Sequence, residues 1–243
     1  MAQTARESVL NLTAILTLGF LLGIRHATDA DHVVAVSTIV SRQRALRAAA
    51  PIGILWGIGH TVTILIVGGA IIFLGMGIPP RVGLLMELSV GIMLVLLGTM
   101  NFAWSLRYAA TAADSGGADL QRREHGPPPS KSKAMSLRPL VVGVVHGLAG
   151  SAAVTLLVLG SIRAPVRAFA YLVVFGAGTI TGMLAITAAL AAPMVLVSRR
   201  FAHLHRTLGS VTGVASVLLG SALIYEIGFV DGLFTGHPHW VPG

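Results

Sequence analysis

Six stretches of the chain are apolar almost throughout: residues 9–40, 51–75, 82–106, 139–162, 166–197 and 208–230. A helix needs about 20 apolar residues to cross ~30 Å of hydrocarbon, so each stretch is expected to span a bilayer. The first and fifth are longer than one untilted crossing requires. At 1.5 Å per residue a 32-residue helix is about 48 Å long. The first stretch is therefore tilted, broken at its polar centre or continued outside the membrane. Between the third and fourth stretches the pattern lapses over residues 109–136, with Gly116-Gly117 and Pro127-Pro128-Pro129, which reads as a flexible polar linker.

The two sides of that linker resemble each other. Gly23-Ile24-Arg25-His26 recurs as Gly143-Val144-Val145-His146, Gly57-Ile58-Gly59 as Gly176-Ala177-Gly178, and Gly91 with Gly98 as Gly213 with Gly220, at offsets of 120, 119 and 122 residues. Three spans per half is an odd number, so the second copy enters the membrane from the opposite side. The expected architecture is an all-α polytopic membrane protein with six transmembrane helices as two inverted three-helix repeats. The N-terminal repeat occupies residues 1–106, a cytoplasmic polar linker 107–138, and the C-terminal repeat 139–243. Secondary transporters built this way bind substrate near the midplane between repeats. Small residues at four-residue spacing, Gly19/Gly23, Gly53/Gly57, Gly143/Gly147, Gly178/Gly182 and Gly209/Gly213, permit close helix packing in lipid.

Composition agrees with the pattern: 54% hydrophobic, 11% charged, mean hydropathy +0.82. The net charge of +8 would raise nucleic acid as a partner in a soluble chain. Here the basic residues sit in short loops. Twelve (Arg42, Arg44, Arg47, Arg107, Arg122, Arg123, Lys131, Lys133, Arg138, Arg199, Arg200, Arg206) follow spans one, three and five, against four (Arg6, Arg81, Arg163, Arg167) on the other side. The positive-inside bias then places the first set in the cytoplasm and both termini outside, in the cytoplasmic (cell) membrane. Nucleic acid is not an expected partner; the lipid bilayer is. The first span carries charge at its centre, unlike a cleaved signal peptide, and is expected to be retained. With no cysteine, thiolate ligands and Cys nucleophiles are excluded.

The exception to the apolar pattern carries the chemistry. Arg25, His26, Asp29, Asp31 and His32 lie inside the first span, where each charged group costs at least ~2.5–3.5 kcal/mol. Two imidazoles and two carboxylates offer nitrogen and oxygen donors, and imidazole suits nickel, copper, zinc or cobalt rather than magnesium or calcium. On an ideal helix with His26 at zero, Asp29, His32 and Arg25 fall at about 300°, 240° and 260°, one face, while Asp31 falls at about 140°. Asp31 as a direct ligand thus requires unwinding. Otherwise it orients an imidazole on a neighbouring helix. Arg25 is expected to pair with a carboxylate, Asp29 being nearest. His60, in Trp56-Gly57-Ile58-Gly59-His60-Thr61, is a further ligand or relay, and His146 is the repeat counterpart of His26. The candidate metal ligands are therefore His26, Asp29, Asp31, His32, His60 and His146. His203, His205, His237 and His239 lie in loop and tail positions with no assigned role.

These residues carry a resemblance. His26-Ala27-Thr28-Asp29-Ala30-Asp31-His32 is an H-x4-D-H motif that resembles the signature helix of the nickel/cobalt transporter (NiCoT) family, and Gly59-His60-Thr61 is similar to its second motif. Leu22-Gly23-Ile24-Arg25-His26, Val145-His146-Gly147-Leu148-Ala149-Gly150-Ser151 and Phe175-Gly176-Ala177-Gly178-Thr179 resemble the shorter UreH-type branch, the urease-accessory nickel permeases. The acidic Phe-Asp-Thr motif of the longer members has no counterpart. The resemblance implies a permease moving Ni²⁺, and Co²⁺ as a second ion, through the H-x4-D-H helix, with no enzymatic activity and no prosthetic group. The residues themselves leave open uptake or efflux, a sulfite-type anion exporter, a membrane haem protein with His26, His60 or His146 as axial ligands, and assembly as a homo-oligomer. An intramembrane zinc hydrolase is disfavoured because no H-E-x-x-H occurs.

Overall fold

The computed structural model describes residues 2–41, 43, 46–75, 77–114, 137–148, 162, 164–200, 202–235 and 238–240. Arg42, Arg44, most of the polar linker, residues 149–161, Arg163 and His237 lie outside the described residues, as do the side chains of His203 and His205. The described chain is helical: α1 (Ala2–His26), α2 (Ala30–Val40), α3 (Leu46–Leu74), α4 (Pro80–Asp114), α5 (Arg138–Leu148), α6 (Pro165–Arg200) and α7 (Ala202–Tyr225), the last running into a π-helical turn, Glu226–Val230. No strand occurs among the described residues. Segments Leu46–Leu74, Pro80–Arg107, Pro165–Val195 and Thr207–Val230 are long and apolar enough to cross a bilayer, while Leu12–His26, Ala30–Val40 and Arg138–Leu148 are shorter apolar helices.

Polarity is distributed as a multi-pass membrane protein requires. Ile54, Ile58, Val62 and Ile66 form an exposed apolar stripe along α3, and Val211, Val214 and Leu218 do the same on α7. Buried within are His26, His32, His60, His146, Asn101, Thr179 and Ser216. A hydrocarbon solvent rewards that order, since polar groups there must find partners inside the bundle. Asn101 on α4 finds several: its amide donates to Ser41 Oγ beyond α2 (3.1 Å), to Gly209 O (2.9 Å) and to Thr212 Oγ1 on α7 (3.2 Å).

The small residues determine which helices touch. Helices α3 and α6 pack against each other at the centre, α1 lies on α6, α5 lies on α3, and α4 pairs with α7. Gly23 of α1 faces the α6 backbone from Phe175 to Thr179, and Gly178 of α6 faces the backbone of Phe20. Likewise Gly143 of α5 lies against the backbone of Trp56 on α3, and Gly59 faces Leu140 and Val144. Gly98 and Gly213 meet across α4 and α7. The close approach is cemented by Thr61 Oγ1 donating to Gly176 O (3.2 Å) and by Ser216 Oγ donating to Leu94 O (2.8 Å).

The first apolar stretch is not one helix. It stops at His26 and restarts at Ala30. No glycine or proline makes the break; Thr28 and Asp29 do. The Thr28 hydroxyl donates to Arg25 O (2.5 Å) and the Thr28 and Asp29 amides reach back only three residues, to Arg25 O (2.8 Å) and His26 O (3.1 Å). Such local bonds compete with helix continuation. Asp29 is then extended (φ −61°, ψ 147°) and serves as N-cap of α2, a position that residue type favours.

Candidate metal centre

The break places its own residues opposite two other helices. His26 ends α1, Asp31 and His32 begin α2, His60 lies midway along α3, and His146 lies in the last turn of α5. The His26 ring centroid is 4.7 Å from that of His32 and 5.0 Å from that of His60, and His32 lies 5.2 Å from His60 and 4.4 Å from His146. All four imidazoles are buried, none more than 6% exposed.

Carboxylates hold the rings in place. Asp29 Oδ2 is 2.8 Å from His26 Nδ1, which explains why this N-cap makes no side-chain bond to its own helix. Asp31 Oδ1 accepts from the His32 backbone amide and lies 2.9 Å from His32 Nδ1, and its Oδ2 is 3.0 Å from His146 Nε2. A carboxylate on Nδ1 fixes the tautomer that leaves the Nε2 lone pair available to a metal. The lone pairs of His26 and His32 are thereby directed away from their acids. His32 Nε2 is buried with no hydrogen-bond partner among the described residues, while His26 Nε2 lies 3.0 Å from His60 Nε2. A neutral His26 whose Nδ1 donates to Asp29 accepts at Nε2 from His60, at the place a cation would take.

Two groups of ligand atoms lie close enough to hold one ion each: His26, His32 and His60, and Asp31, His32 and His146, every atom within 4.8 Å of the others in its group. Of the six sequence candidates, five enter these groups. Asp29 does not, and its side chain is 43% exposed. The expected Arg25–Asp29 pair is replaced by His26–Asp29. Among the described residues no carboxylate forms an ion pair with Arg25, which is exposed. Asp31, which an unbroken helix would turn away from His32's face, joins the cluster because α2 starts afresh after the break. The aromatic walls are not assigned in the sequence: Trp56 stacks on His32 at 6.3 Å and lies tilted 5.3 Å from His146, and Phe175 lies 5.6 Å from His26. The spacing signal for Trp56 was present, since it precedes His60 by one helical turn and shares its face.

The chain is 37% identical over 224 residues to the urease accessory protein UreH of Bacillus sp. (strain TB-90), an alignment covering 92% of this chain and 96% of that protein. It belongs to the UreH family. A second relative, the chloroplast protein FOR GROWTH AND FERTILITY 1 of Arabidopsis thaliana, is 26% identical over 212 residues, 85% of this chain but 57% of its own length. The chain thus spans little more than half of that relative. No family model matches the chain and no solved structure matches it.

In this UreH-family protein the two acids should be unequal. Asp31→Asn removes the charge that orients both His32 and His146 and is expected to weaken affinity for a transition-metal ion about 10–100-fold, the range for partners of histidines that bind metal. Asp29→Asn, more exposed and serving one ring, should cost less than Asp31→Asn. Calorimetric titration of the two purified variants with Ni²⁺ checks the order; equal losses would contradict it.

Proposed function

We propose that the protein is a secondary transporter carrying Ni²⁺, with Co²⁺ as a second cargo, across the cytoplasmic membrane through the His26, His32 and His60 imidazoles. The observation that carries this reading is the convergence of three buried imidazoles at a helix break, two of them backed by acids. Imidazole nitrogen selects late first-row metals. The buried-side Asp31 carboxylate, with the more exposed Asp29 behind His26, offsets the charge of a divalent ion and disfavours an anion such as sulfite. The relative's name ties it to urease, and the motif resemblance to nickel/cobalt transporters points to the same cargo.

The two-repeat architecture is supported by the packing. Exchanging α1 with α5, α3 with α6 and α4 with α7 turns the contact of α1 on α6 into that of α5 on α3. Gly23 and Gly143, matched in sequence, face matched backbones. The same exchange brings His146 to the place of His26. The excess of basic residues beyond α2, α4 and α6 favours a cytoplasmic position for those ends.

Radioactive nickel accumulation in cells lacking their own uptake system tests the reading. His26→Ala and His60→Ala should each lower it more than tenfold with the protein still in the membrane, and unchanged accumulation would refute the assignment. Expression raising cellular nickel indicates uptake; lowering it indicates efflux. Because protonated imidazole does not bind metal, transport should decline as the pH on the loading side falls.

A further inference from the structure

His32 belongs to both ligand groups, and the second group is not a duplicate of the first. His26, His32 and His60 present three imidazoles; Asp31, His32 and His146 present two imidazoles and a carboxylate. His146 Nδ1 and Trp56 Nε1 are buried with no hydrogen-bond partner among the described residues, an arrangement that hydrogen-bonded packing alone leaves unexplained. Beyond them lies a cavity of about 380 Å³ whose lining includes Thr38, Gln43, Ile52, Leu55, Arg138 and Val142. Val142 is one turn before His146 on α5, and Leu55 adjoins Trp56. The cavity thus reaches α5 one turn from His146 and α3 next to Trp56, whose ring packs on His146 and His32.

Resting on the nickel reading above, we propose that Asp31, His32 and His146 form a second ion position. The ion passes between it and the tri-imidazole position by pivoting on His32, and between it and the cavity by displacement of Trp56. His32 serves both positions, through Nε2 in the first and Nδ1 in the second, its proton passing from Nδ1 to Nε2 as the ion crosses, so each end of the step offers three ligands to a divalent charge that is most costly bare in an apolar interior. In the structure the Asp31 carboxylate holds His32 and His146 together by hydrogen bonds. An ion in the second position substitutes for those bonds.

Full-length protein purified in detergent and loaded with one equivalent of Ni²⁺ is read by X-ray absorption, and proteoliposomes made from it are read for nickel flux. Wild type and His146→Gln should both show three imidazole nitrogens, while His146→Gln transports at least tenfold more slowly. His60→Ala should retain an ion bound by two imidazoles and carboxylate oxygen. Where glutamine is not accommodated, His146→Asn serves the same arm. Wild-type flux in the His146 variant, loss of its bound ion, or the absence of carboxylate-bound nickel in His60→Ala overturns the relay while leaving the first position intact. Wild-type protein that binds no nickel overturns the transport reading, and the relay with it.

Discussion

His32→Ala is expected to reduce nickel transport to background and to weaken Ni²⁺ binding by more than ~100-fold, beyond the 10–100-fold typical of a residue that only supports a ligand. The reasons are additive. The substitution removes a buried, unpartnered Nε2 from the tri-imidazole group and the nitrogen that joins it to Asp31 and His146. It also deprives the Asp31 carboxylate of one of its two imidazole partners, leaving a negative charge under-compensated in the bundle, a change that is strongly destabilising for buried pairs. A hundredfold loss corresponds to about 2.7 kcal/mol. Calorimetry on purified protein and flux in proteoliposomes measure the two effects separately. Wild-type affinity in His32→Ala would exclude the imidazole cluster as the binding position.

The second large effect is on assembly, and it reverses sign with position. Ala in place of Gly in a helix interior gains up to about 1 kcal/mol from propensity. At Gly69 an added Cβ would meet only the Phe169 ring, at 3.7 Å, so Gly69→Ala should be neutral or raise the melting temperature. At Gly23 the same Cβ would lie 2.8 Å from Thr179 N, and at Gly143 3.0 Å from Trp56 Cα. Those neighbours are backbone and cannot rotate away. Overpacking of about 1–3 kcal/mol or more then outweighs propensity: Gly23→Ala and Gly143→Ala should lower the melting temperature, and Val at either position should prevent recovery of folded protein. Thermal unfolding in detergent decides it, and a stabilised Gly143→Ala would show that α5 does not sit so close to α3.

The membrane class, the small-residue contacts and the histidines were legible because each departs from its surroundings. Ionisable groups in an apolar run and glycines at four-residue spacing are conspicuous against leucine and valine. The partner of Asp29 is not legible, while that of Asp31 is legible only as the alternative of orienting an imidazole on a neighbouring helix, where the structure has His146. A helical wheel carries one phase along the whole segment, and Thr28 and Asp29 reset that phase by bonding locally. The wheel therefore joins Asp29 to Arg25 and turns Asp31 away from His32 toward a neighbouring helix, whereas the restarted helix gives Asp29 to His26 and lets Asp31 hold His32 as well as His146. Trp56 was hidden for a different reason: an apolar aromatic in an apolar span carries no contrast. The indole of Trp240 donating to Glu87 Oε1 at 2.9 Å joins residues so distant in the chain that no local pattern relates them.

The position of Trp56 has a practical consequence. Its ring lies against two of the four histidines, far closer than the distance over which a paramagnetic ion such as Ni²⁺ extinguishes indole emission. The chain has two other tryptophans, Trp104 and Trp240. With both changed to phenylalanine, the remaining fluorophore would dim as cargo arrives and brighten as it departs, giving a stopped-flow record of turnover without any attached dye.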